Sequence, residues 1–253
     1  MPRVPRIKSA SGIYHIVMRG INRQIIFKEA EDSIKFIKIL KKYREICAFD
    51  IYAYCLMGNH VHLLIREGYE PLGNIMRRIC GSFVLWYNKK YSRVGYLFQG
   101  RFRSEVVEDE SYFLTVLRYI FRNPMKAGLV AKIEDYLWTN YSHYIAGSGW
   151  TDISFPLSIF HRDKKTAIRL FIDYVNIDNS DVCLELSDKS RLNDGEAIKI
   201  IKEYCNLEDE RELSKLEKYQ RNQFIKELRE NHSLSVRQIE RITGVSRGIV
   251  QRI

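Results

Sequence analysis

Two short constellations carry the chemistry open to this chain. His60 and His62 flank Val61 in the run Tyr54 to Ile65, Y-C-L-M-G-N-H-V-H-L-L-I. The apolar residues that follow read as a short buried strand, whose side chains alternate between faces, so the two imidazoles point the same way. Neutral imidazole is a common ligand for divalent metals, and two on one face form half of a site with positions left for water or phosphate oxygens. An H-x-H pair can also be satisfied by hydrogen bonds inside a sheet, so metal binding needs a third ligand from elsewhere in the chain. Tyr119 and Asn123, four residues apart at the end of a helical stretch, form the second constellation. A tyrosine nucleophile needs a nearby cation to lower its pKa or to polarise the phosphate it attacks, and an amide oxygen can complete a metal site begun by two histidines. By spacing alone the plainer reading is core packing for Tyr119 and helix termination for Asn123.

The elements that must position these residues are legible from hydrophobic period. Ile13 to Met18 alternates as a first strand, and Arg19-Gly20-Ile21-Asn22-Arg23 follows as a basic turn. Glu29 to Cys47 has helical spacing. Phe49 to Leu56 and His60 to Arg66 read as strands joined by a tight turn at Met57-Gly58-Asn59. Pro71 opens a second helix, Leu72 to Tyr91, and a Gly-bracketed aromatic and basic loop, Gly95 to Arg103, leads to a short strand from Ser104 to Val107. A third helix runs from Asp109 to Arg122, begun by an acidic run and stopped at Asn123-Pro124. The order strand, helix, strand, strand, helix, strand is that of a ferredoxin-like (RRM-like) α+β fold, with an antiparallel sheet that keeps one face for ligands.

After Trp138 the pattern weakens. Ala167 to Val175 and Asp194 to Tyr204 read as helices around a break at Asp178-Asn179-Ser180-Asp181. Tyr219 to Asn231 is helical, and Ser235 to Ile253 has the pattern of a helix-turn-helix: Ile239 and Val245 buried, Gly244 at the turn, and Ser246 capping a recognition helix that bears Arg247, Gln251 and Arg252. A helical hairpin used only for protein contact is the plain alternative. The expected division is a catalytic domain over 1–145, a helical linker region over 146–205 and a helix-turn-helix DNA-binding module over 206–253.

Formal net charge is +10 over 253 residues, and residues 1–150 hold 23 Lys/Arg against 13 Asp/Glu while the remainder holds 18 of each. A basic, tyrosine-rich first part suits a polyanion, through phosphate contacts and stacking of aromatic faces on unpaired bases. Five scattered cysteines without C-x-x-C spacing argue against a disulfide framework or zinc ribbon. No apolar run approaches the ~20 residues of a membrane span, and Met1 to Arg6 leads into no secretory apolar core, so the expectation is a cytoplasmic protein without membrane contact.

Four segments in order, G-N-H-V-H-L-L (Gly58 to Leu64), L-F-Q-G-R-F (Leu97 to Phe102), R-Y-I-F-R-N-P-M-K-A-G-L-V (Arg118 to Val130) and W-T-N-Y (Trp138 to Tyr141), resemble the single-tyrosine transposases of the HUH superfamily. The nearest branch is that of IS200-like and REP-associated tyrosine transposases, and the resemblance spans roughly residues 10–145. It implies that His60 and His62 bind Mg²⁺ or Mn²⁺, that Tyr119 attacks single-stranded or hairpin DNA to form a 5′-phosphotyrosine link, and that Asn123 stands where insertion-sequence relatives use a glutamine as third metal ligand. The sequence departs from the family pattern at Gly58, often proline, and at Phe121-Arg122, more usually His-Leu. Arg19, Arg23, Arg101 and Arg103 are the candidates for holding DNA, with Tyr96, Phe98 and Phe102 packing or stacking. Arg247 and Gln251 would contact duplex DNA, with the chain acting as a monomer or homodimer. Two rival readings are a DNA-binding regulator that keeps the fold without the activity, and a metal-dependent phosphodiesterase in which water attacks.

Overall fold

In the computed structural model, which describes residues 6–184, 193–232 and 234–253, the chain divides into two compact units, Met1–Leu186 and Ser187–Ile253. The first is built on strands β1 (Ile13–Arg19), β2 (Asp50–Met57), β3 (His60–Arg66) and β4 (Arg103–Val106). They pair antiparallel in the order β2-β3-β1-β4, the arrangement the element order implied. Helix α1 (Ala30–Cys47) follows β1, α2 (Leu72–Lys90) follows β3, and α3 (Glu110–Lys126) follows β4.

Alternation along the strands sends their side chains into two apolar layers. On one face Tyr14, Ile16, Met18, Val61, Leu63 and Ile65 pack with Phe36 and Leu40 of α1 and Ile75, Ile79 and Phe83 of α2. The other face was expected to stay open to ligands, and it does not. Ala53, Cys55, Met57 and Leu64 pack there against Phe113, Val116, Leu117, Ile120 and Phe121 of α3, with further cover from α4 (Tyr141–Ala146), α5 (Ser154–Phe160) and α6 (Lys164–Asn176). The strands carry apolar residues on both sides, and burying only one would leave the second layer in water.

Helix α3 also runs past its expected stop. Pro124 is inside it, because a proline this close to a helix end removes only the amide that would bond the Ile120 carbonyl. The ladder resumes with Ala127 N–H to Asn123 O at 3.0 Å and Leu129 N–H to Pro124 O at 3.0 Å. Tyr119 and Asn123 are therefore one helical turn apart on one side of the same helix.

The W-T-N-Y segment protects the outer edge of β2, which would otherwise present unpaired backbone groups. Leu56 N–H donates to Trp138 O at 2.9 Å. The fully buried Asn140 accepts from Tyr54 N–H at 2.9 Å and donates to the Tyr52 carbonyl at 2.9 Å and to Thr151 Oγ1 at 3.0 Å. Tyr144 Oη donates to the same Tyr52 carbonyl at 2.9 Å. The buried carboxylate of Asp32 ties α1 to the end of α2. It accepts from the Lys28 and Glu29 amides at 2.7 and 3.0 Å, from Lys90 Nζ at 2.8 Å and from Tyr91 Oη at 2.9 Å.

The expected linker over 146–205 is divided between the units. Leu157, Phe171 and Val175 are buried in the first, whereas Ala197 and Ile201 of α7 (Asp194–Cys205) are buried in the second. That second core also takes Ile225 and Leu228 of α8 (Lys218–Glu230), Ile239 of α9 (Val236–Thr243) and Val250 of α10 (Arg247–Arg252). Gly244 ends α9 at φ +76°, a left-handed conformation glycine adopts without a Cβ penalty, and Val245 is buried after it. Ser246 does not cap α10 through its side chain; Glu240 Oε1 instead accepts from the Arg247 amide at 3.2 Å. All five cysteines are free thiols, and among the described residues no helix is long and apolar enough to cross a membrane.

Replacing Asn140 by alanine leaves the Tyr54 amide buried without an acceptor and should destabilise the first unit by about 2–4 kcal/mol, read from urea unfolding. Burial alone would raise the Asp32 carboxyl, but the bonds from Lys90, the Glu29 amide, Tyr91 and the Lys28 amide outweigh it and hold it below its ordinary value. Its contribution is therefore present above the unfolded carboxyl value of ~3.9 and fades as pH falls through the lower folded value. In acid titrations followed by circular dichroism, Asp32→Asn should start less stable than the native chain and lose less stability across that window.

Candidate functional site

The antiparallel register sets the site. Arg19 pairs with His60, Val17 with His62 and His15 with Leu64, so His15, Arg19, His60 and His62 all project from the α3 side of the sheet. His60 sits at the start of β3, just after the Gly58-Asn59 turn, while His62 is one step inward and buried. Their rings lie 5.0 Å apart, centroid to centroid.

Helix α3 places Tyr119 over this pair. The tyrosine is 2% exposed, with its ring 5.6 Å from that of His62 and 5.9 Å from that of His15, both edge to face. Lys126 Nζ lies 5.1 Å from the Tyr119 ring centroid. Asn123 follows one turn later, half-buried on the same helix. The structure thus gathers His60, His62 and Tyr119 and brings in His15, a residue the sequence reading passed over. Its signal was available: in I-Y-H-I-V-M a polar ring occupies a position that alternation assigns to a buried face.

Both ligand candidates have a polar partner on Nδ1. His60 Nδ1 lies 2.6 Å from Asn59 Oδ1, and His62 Nδ1 lies 3.2 Å from His15 Nε2. Burial pushes His62 well below the usual imidazole value, and proximity to His15 and His60 pushes it further. His62 is consequently neutral at physiological pH, the form that can offer a lone pair to a metal. Among the described residues no group of three or more His, Cys, Asp or Glu is placed to hold a metal ion. Two imidazoles, with a carboxamide one turn beyond the tyrosine, are nitrogen and oxygen donors that fit a divalent ion and leave positions for external oxygens.

Three loops are knitted together beside His60. Gly20 N–H donates to Asn59 O at 2.8 Å, Ile21 N–H to Leu97 O at 2.8 Å and Gln99 N–H to Arg19 O at 2.8 Å. Arg19 also donates to Gln99 Oε1 at 3.2 Å. The expected basic turn is a single 3₁₀ turn, Ile21–Arg23, with Asn22 and Arg23 held at φ +51° and +58°. Arg23, Arg101 and Arg103 are exposed and Arg19 is half-buried. Of the loop aromatics, Tyr96 is 85% exposed, Phe98 lies 6.3 Å from Phe83 ring to ring, and Phe102 carries the Arg6 guanidinium 3.6 Å above its ring. Arg247 and Gln251 are exposed on α10 of the second unit.

The first unit is thus a ferredoxin-like antiparallel sheet with paired histidines on an inner strand, under a helix that delivers a tyrosine. The family model described as Transposase IS200 like matches residues 8–123, a little under half of the chain. A Haemophilus influenzae protein named as a REP-associated tyrosine transposase is 28% identical over 142 residues, which cover 50% of this chain and 69% of that protein. A solved structure of a REP-associated tyrosine transposase bound to a REP hairpin superposes with a TM-score of 0.51 at 19% identity, covering 61% of this chain and 94% of that one.

The loop junction yields a direct test. A Cβ on Gly20 would stand 2.3 Å from the Gln24 carbonyl oxygen and 2.9 Å from Ile26 Cγ2, so alanine there must displace the Arg19–Arg23 backbone. Gly20→Ala should cost about 1–3 kcal/mol in thermal unfolding, as overpacking does elsewhere.

Proposed function

We propose that the first unit cuts and rejoins single-stranded DNA, with Tyr119 as nucleophile and His60 and His62 as metal ligands. The observation that carries this reading is the packing of the Tyr119 ring against His62, at 5.6 Å, at the end of the sheet where His60 and the arginine-bearing loops also lie.

In the reaction the Tyr119 oxygen, giving up its proton, attacks phosphorus. The bond from phosphorus to the 3′ oxygen breaks, and that oxygen takes up a proton. The products are a 5′-phosphotyrosine link and a free 3′-OH, and attack by another 3′-OH reverses the step and joins strands without ATP. A divalent ion, Mg²⁺ or Mn²⁺, held by His60 and His62 with Asn123 as third ligand, would supply Lewis acidity to the scissile phosphate. The protein's own part is positional: α3 holds the phenol rigidly, burial keeps water from its ring, and the sheet fixes both imidazoles. Arg19, Arg23, Arg101 and Arg103 would take the flanking phosphates, and the exposed Tyr96 offers a face on which a base can stack. Hairpin DNA is the substrate class we favour, supported by the REP hairpin carried by the structurally similar transposase. In the second unit, α9, the Gly244 turn and α10 would form a helix-turn-helix that presents Arg247 and Gln251 to duplex DNA.

Incubation with hairpin DNA from the flanks of the gene, with Mg²⁺ or Mn²⁺, should give a covalent adduct mapped to Tyr119 by mass spectrometry. Tyr119→Phe should abolish adduct and cleavage, a loss of at least ~10³-fold, while DNA affinity stays near that of the native chain. Cleavage that survives Tyr119→Phe would assign the attack to water, and binding without cleavage on any flank would assign the chain to regulation.

A further inference from the structure

We propose that His15 is a positioning residue: it accepts a hydrogen bond from Nδ1 of His62 and so leaves the His62 Nε2 lone pair bare, with Glu105 in turn fixing the proton of His15. The inference rests on the reading of His62 as a metal ligand and adds the residues that make it one.

His15 is fully buried on β1, where an unbonded polar ring carries a desolvation cost. Val17 is opposite His62, so His15 is the diagonal neighbour of His62 on the same face. The two rings stack with centroids 5.4 Å apart at 24°, and Nε2 of His15 lies 3.2 Å from Nδ1 of His62. One of these two nitrogens must carry the shared proton, and the other face of His15 decides which. Its Nδ1 makes no hydrogen bond among the described residues, yet it lies 3.9 Å from Oε2 of Glu105 on the adjacent β4. That separation is too long for a hydrogen bond and short enough for the carboxylate charge to select the protonated nitrogen.

Glu105 is itself held in place, accepting from Tyr112 Oη at 2.5 Å and from the Leu184 amide at 3.2 Å. A proton on His15 Nδ1 faces that carboxylate, so Nε2 becomes the acceptor and His62 must donate from Nδ1. The opposite assignment would set a bare Nδ1 lone pair against the carboxylate and place a proton on His62 Nε2, where no metal could then bind. His60 shows the same design, with Asn59 Oδ1 on its Nδ1. Partners of this kind commonly set the tautomer and ring orientation of metal-bound histidines. His15 also touches the other half of the site, since the Tyr119 ring packs against both His15 and His62.

The test uses the full chain and two readouts, ¹⁵N imidazole shifts without metal and Mn²⁺ titration by electron paramagnetic resonance. The native protein should show His62 protonated on Nδ1. His15→Phe keeps the ring and removes the acceptor; it should mix the His62 tautomers and weaken Mn²⁺ binding by ~10–100-fold. His15→Gln, whose amide oxygen falls near the lost Nε2, should restore both toward the native values. Glu105→Gln, on the partly exposed edge strand, reports the same tautomer shift should His15→Phe fail to fold. A His62 found protonated on Nε2 in the native protein overturns the inference. So does a folded His15→Phe, or a Glu105→Gln, with native tautomer and native Mn²⁺ affinity. Native His62 protonated on Nδ1 with no Mn²⁺ bound at any concentration would instead overturn the metal-ligand reading and leave the tautomer assignment standing, which separates the two failures.

Discussion

Burial of the sheet on both faces is the constraint from which the site follows. Strand side chains alternate strictly, so once Tyr14, Ile16, Met18, Val61, Leu63 and Ile65 enter the layer under α1 and α2, the intervening residues must face α3. Most of those are apolar and pack. The buried exceptions, His15 and His62, lie in a dry environment where polar atoms need partners, and each finds one in the other. A one-residue slip between β1 and β3 would put the two imidazoles on opposite faces of the sheet, so the hydrophobic pattern specifies the register and the register specifies the site.

The same dryness sets the electrostatics. Burial pushes His62 well below the ordinary imidazole value and also lowers His15, where Glu105 opposes the shift. Glu105 is held low by His15 and by Tyr112 and the Leu184 amide, against its own burial. Neutral imidazoles beside one anchored carboxylate make a centre of modest charge inside a unit whose surface is strongly basic. Long-range attraction of a polyanion then belongs to the exposed arginines, while the interior is left to orient donors.

Several features, one beside His60 and others remote from it, act by keeping this arrangement rigid. The backbone bonds among the loops at Gly20, Asn59 and Leu97 hold Asn22 and Arg23 in left-handed conformations that isolated residues rarely adopt. Asn140 and Tyr144 seal the outer edge of β2, the strand that flanks β3 on the side away from β1. Asp32 gathers two amides, a lysine and a tyrosine where α1 begins and α2 ends. These devices use polar atoms whose partners are elsewhere in the chain.

By itself the sequence determined what depends on local period: four strands and three helices of the ferredoxin-like order, the common face of His60 and His62, the helix that carries Tyr119, and the helical character of the C-terminal part. Ordered motifs carried the resemblance to IS200-like transposases, whose family model matches residues 8–123. Tertiary structure alone decided what depends on residues distant along the chain. His15 and His62 are 47 residues apart, and nothing local to I-Y-H-I-V-M reveals that its imidazole meets another. The continuation of α3 through Pro124 and the cover of the second face by α4 to α6 were likewise hidden, since packing overrode a local stop signal in the first case. Periodicity is written residue by residue, whereas a buried hydrogen bond between strands exists only once the chain has closed on itself and excluded water from both partners.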